Sequence, residues 1–75
     1  MSTSDVMIHI NESLSVDARG ALENAIRRVE GVVLPRFNAG KEHLLMVAFD
    51  PKKTSAADLL ERTRAAGYTA QLVGM

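Results

Sequence analysis

Hydrophobic positions recur along this chain with two different periods, and the switches between them mark out its elements. At 6–11 the period is two, with Val6, Ile8 and Ile10 on one side and Met7, His9 and Asn11 on the other. Such alternation, rich in β-branched residues, predicts a strand with one buried face. From Val16 the spacing becomes helical: Ala18, Leu22, Ala25, Ile26 and Val29 share a face, opposite Arg19, Glu23, Asn24, Arg27, Arg28 and Glu30. Ser15 carries the hydroxyl of a good N-cap, Asp17 suits the positive end of the helix dipole, and Gly31 supplies the stop. Gly20, inside the helix, is expected to mark close approach to another backbone.

A second strand follows at 32–37, where Pro35 cannot serve a ladder on both sides and so predicts a sheet edge. A hairpin loop is expected at 38–42 and a third strand at 44–50. This third strand is apolar on both faces: Leu45, Val47 and Phe49 on one, Leu44, Met46 and Ala48 on the other. After the turn at 50–53, Ser55 and Asp58 have the spacing of a capping box. They open a second helix running to Ala66, with Leu59, Leu60, Thr63 and Ala66 toward the core and Gly67 as its stop. A last short strand at 68–73 places Tyr68, Ala70 and Leu72 inward.

The order is β-α-β-β-α-β. Right-handed crossovers put the first and third strands at the centre of a four-stranded antiparallel sheet with both helices on one face. The expected fold is α+β, a ferredoxin-like sandwich. It forms a single domain over 6–73, with a flexible start at 1–5 and a short tail at 74–75.

Composition narrows the functions. Seventy-five residues hold one modest core. Nine basic and nine acidic residues leave no formal net charge, which argues against nucleic acid or an anionic membrane as partner. There are no cysteines, so disulfides, thiolate metal sites and thiol nucleophiles are excluded. No apolar run approaches the ~18 residues of a membrane span, and the amino end has no apolar leader core, so a cytoplasmic protein is expected.

Several motifs in order resemble the heavy-metal-associated domains of copper chaperones and metal-ATPase amino termini. They are Ala25 and Ile26, then Val29, Glu30, Gly31 and Val32; the strand end Val47, Ala48, Phe49, Asp50 and Pro51; Ser55 with Leu59; and Ala66, Gly67, Tyr68, Thr69 and Ala70. The resemblance spans about residues 6 to 73 and implies the ferredoxin-like fold. Members of the family carry Met-x-Cys-x-x-Cys at the start of the first helix. Counted back from Gly31, the cysteine positions fall on Ser15 and Ala18 and the methionine on Ser13. A hydroxyl and a methyl cannot replace two thiolates, because Cu(I) selects sulfur and Zn(II) needs deprotonated ligands. The family's metal site is therefore not carried over, and no cofactor is expected.

Other residues offer other chemistry. Met7, His9 and Met46 fall on the open sheet face, where thioether and imidazole form an alternative donor set for Cu(I). His43, beside the hairpin loop, is expected to be a solvated surface histidine. Ser13 and Ser15 have no neighbouring histidine to act as base, so an enzyme is not expected. The only aromatics, Phe37, Phe49 and Tyr68, point inward, which removes the stacking platform an RNA-binding sheet needs. What remains is the open face itself. Met7, His9, Leu44, Met46 and Ala48, with Leu34 and Val73 at the edges, form an apolar patch of a kind monomers rarely expose. The expected function is a stand-alone module that binds a protein partner or forms a homodimer through this face; metal carriage by non-cysteine ligands is the alternative.

Overall fold

The computed structural model describes residues 3–73, so Met1, Ser2 and the expected tail at 74–75 lie outside the described residues. The elements are β1 (Ser4–Ile10), α1 (Val16–Arg27), β2 (Val32–Asn38), β3 (Lys41–Phe49), α2 (Ala56–Ala65) and β4 (Ala70–Leu72). The strands form one antiparallel sheet in the order β2-β3-β1-β4. The most apolar strands are therefore central, and the proline-bearing β2 lies at an edge. This is the ferredoxin-like βαββαβ fold.

The core lies between the helices and one face of the sheet. Ile8, Ile10, Leu45 and Val47 project from the central strands to meet Leu22 and Ile26 of α1 and Leu59 of α2, all of them buried. Pro35 adds its ring from β2. Thr63 is the one buried polar residue among those described, and its hydroxyl donates to the Leu59 carbonyl at 3.0 Å, so no polar atom there is stranded.

Several local expectations change. β1 begins at Ser4, so Ser4 and Asp5 belong to the strand. The hairpin is tighter than a 38–42 loop: Asn38 pairs with Lys41 around a turn of Ala39 and Gly40, and Leu44 lies within β3. Ala25 is exposed because it sits at the margin of the apolar stripe of α1, and Ala66 because it is the C-cap past the end of α2. Leu72 faces the core side but stands at the sheet edge, 42% exposed. Gly20 has open space where a Cβ would sit, so it marks no close approach. Gly31 is not the C-cap of α1; Arg28 is, and Gly31 instead makes a left-handed link into β2. In the second helix start, Ser55 caps Asp58 N–H at 3.1 Å, but the Asp58 carboxylate accepts from the Thr54 hydroxyl, so only half of the capping box forms.

Candidate functional site

The loop between β1 and α1 is held by local bonds and by its neighbours. Ser15 Oγ accepts from Ala18 N–H at 3.1 Å, which makes it the N-cap of α1. Leu14 is 7% exposed and joins the core beneath the loop, while Arg19 Nη1 donates to the Leu14 carbonyl at 2.8 Å. Both oxygens of Glu12 accept from Thr69 N–H, at 2.9 and 3.1 Å, and Asn11 N–H donates to the Thr69 carbonyl at 2.9 Å. The Thr69 amide holds the Glu12 carboxyl below its ordinary value of 4.5, against a smaller opposing effect of desolvation.

Sequence reasoning passed over Leu14 and the bond between Glu12 and Thr69. The signal for Leu14 was its place as the sole apolar residue immediately before an N-cap, where a side chain turns back onto the helix. Glu12 had no local signal, since its partner lies 57 residues away.

This loop does not fit a soft metal ion. Ser13 and Ser15 are exposed, Ser15 is occupied as a cap, and Ala18 offers only a methyl. Among the described residues no group of three or more His, Cys, Asp or Glu side chains could hold a metal.

The open face of the sheet is built by two neighbouring cross-strand rows. Leu34, Ala48 and Asp5 form one, and Arg36, Met46 and Met7 the next. His9 follows opposite Leu44, and Val73 N–H donates to the Met7 carbonyl at 2.9 Å. The register thus brings Met7, His9, Leu44, Met46 and Ala48 to one face, all half-buried with neither helix over them. A shallow groove of about 250 Å³ runs across it, lined by Asp5, Leu34, Arg36, Met46 and Ala48. Met46 Sδ accepts from Asn38 Nδ2 at 3.2 Å, which engages the thioether with β2.

His43 is not a solvated loop residue. Between the pairs Phe37–Leu45 and Asn38–Lys41, β3 carries Glu42, His43 and Leu44 without partners on β2. Such a bulge re-aims side chains. The His43 ring stacks on His9 with centroids 5.8 Å apart and planes 17° apart. Its Nδ1 lies 2.7 Å from the Ile10 carbonyl, and because a carbonyl only accepts, that nitrogen carries the proton. His9 Nδ1 is buried without a hydrogen-bond partner among the described residues.

No family model matches the chain, and no curated protein matches it. Solved structures do. Oxidised MerP from Ralstonia metallidurans CH34 is 27% identical, with 95% of this chain and 97% of that one covered at a TM-score of 0.82. The N-terminal domain of a potential copper-translocating P-type ATPase from Bacillus subtilis, in its Cu(I)-loaded state, is 25% identical over 95% of this chain and 88% of that one, with a TM-score of 0.83. The CopZ metallochaperone is 17% identical over 93% of this chain and the whole of the other, with a TM-score of 0.78, which shows a shared fold. The chain shares the fold of these heavy-metal-associated domains and contains no cysteine.

Proposed function

We propose that this domain works by docking to a protein surface through the open face of its sheet. The observation that carries the reading is the row structure of that face. Met7, Leu44, Met46 and Ala48 occupy the two central strands with no helix over them, and Leu34 beside them is 46% exposed. Water-facing apolar side chains on adjacent strands are an interaction site by the usual logic of surface patches. A domain this small also gains stability when a partner covers them. The vacant loop removes the chemistry of metal transfer and leaves the scaffold available for binding.

Met46→Glu sets a charge at the centre of the face without touching the core. Its expected effect is loss of association in light scattering and of cross-links through the face, with the melting temperature nearly unchanged. Val16→Glu, at the start of α1 beside the loop where Val16 is 73% exposed, should leave association intact. Association that survives Met46→Glu but fails in Val16→Glu would move the interface to the loop.

A second reading is metal carriage by Met7, His9 and Met46. It is favoured by the register that sets Met7 opposite Met46, with His9 two positions along the same face, and opposed by the Asn38 bond to the Met46 sulfur. Calorimetric titration with Cu(I), Zn(II) and Ni(II) against a competing chelator decides it: binding no tighter than micromolar removes this reading.

A further inference from the structure

The groove on the open face is bounded by one acid and one base. Asp5 on β1 and Arg36 on β2 stand on either side of β3, with Met46 and Ala48 between them. Adjacent strands lie about 4.8 Å apart, so the two charged residues are about 10 Å apart across the sheet and also one row apart along it. Within one copy the two side chains leave the same face of the sheet side by side, so they point along one another rather than toward one another.

We propose that the occupant of this face is a second copy of the chain, packed sheet to sheet with Asp5 of each copy paired to Arg36 of the other. This rests on the reading of the face as a docking surface and names its partner. A two-fold axis lying in the interface along β3 turns the second copy so that its β1 covers β2 of the first. Met46 and Ala48 then meet their own counterparts near the axis. Asp5 falls in the same column as Arg36 of the second copy, one row away, within reach of the long guanidinium stem. The symmetry makes two such pairs, as an isologous interface requires.

The charges also reject the other two-fold arrangement. An axis across the strands through the groove would lay β1 over β1 and bring Asp5 near Asp5 and Arg36 near Arg36. Like charges in apposition disfavour that packing, so the arrangement of charge sets the register as well as the affinity. The face of a sheet this size offers about 450 Å² per copy, below the ~1,200 Å² total of standard interfaces, so the dimer is a weak, transient one.

Sedimentation across a concentration series up to millimolar, with circular dichroism to confirm folding, tests the pairing. Wild type should dimerise. Asp5→Arg alone and Arg36→Asp alone should each weaken the dimer at least tenfold, because every cross-pair becomes like-charged. Two mixtures of charge should recover it. The double variant restores both pairs within a homodimer, and an equimolar mix of the two single variants forms a heterodimer in which both pairs are again opposite. Wild type that stays monomeric overturns self-association, while cross-links to a foreign protein lost in Met46→Glu would keep the docking face itself. A dimer lost in Met46→Glu but indifferent to both charge reversals overturns the proposed pairing.

Discussion

Gly31 and Gly20 are both glycines set among apolar positions, yet the chain needs only one of them. Gly31 has φ +98°, and an added Cβ would come within 2.6 Å of Lys53 Cβ, while its carbonyl accepts from Asp50 N–H at 2.7 Å. Gly31→Ala is therefore expected to cost about 1–3 kcal/mol from the backbone conformation alone, with the overlap added to it. Gly20 lies in a helix with open space around it, so Gly20→Ala should stabilise by about 0.5–1 kcal/mol. Urea denaturation of the two variants should shift the midpoint in opposite directions.

Glu12 offers a second test. Its carboxyl titrates lower in the folded chain than in the unfolded one, because the ionised form accepts the Thr69 amide. That stability is present above the unfolded value and is lost as pH falls through the folded one. Thermal melts between neutral and acid pH should show a shallower acid decline for Glu12→Gln than for wild type.

Among the elements, α1 shows how local chemistry and packing divide the work. Its N-terminus rests on one side-chain bond, Ser15 Oγ to Ala18 N–H, so Ser15→Ala should cost about 1 kcal/mol. In a domain this small that lowers the melting temperature by about 4–8 °C, readable by calorimetry. The helix was legible because apolar residues at 3.6-residue spacing and a good N-cap agree. Its inner margin was not: Ala25 fits the period but is exposed, since the sheet covers only the centre of the stripe. β3 shows the opposite case. Its alternation placed Leu45 and Val47 inward correctly, but periodicity holds no information about a bulge. The bulge decides that His43 stacks on His9 and donates to Ile10 rather than facing water.

For the molecule as a whole, stability rests on a single layer of contacts between two helices and one sheet face. A domain of this length has a margin of about 4–11 kcal/mol by per-residue scaling. Ile8 is fully buried at the centre of that layer. Ile8→Ala is expected to remove about 2–5 kcal/mol. Far-UV circular dichroism with urea should show a midpoint reduced by about a fifth or more, with wild-type cooperativity. The second sheet face contributes nothing to this core, so substitutions there, such as Met46→Glu, leave the core contacts in place.

Within the chain alone, the hydrophobic periods, Pro35, the helix caps and the lack of cysteine were enough to set the element order, the edge strand, most of the inward positions and the absence of a thiolate loop. Each is a property of neighbours a few residues apart, where period and hydrogen-bond chemistry act directly. The pairing of Met7 with Met46, the Glu12–Thr69 bond and the His9–His43 stack depend on strand register and on contacts between distant segments. So does the placement of Asp5 and Arg36 on opposite sides of one groove. No local pattern encodes the distance between those two charges; it follows from the strand order β2-β3-β1, which puts β3 between them.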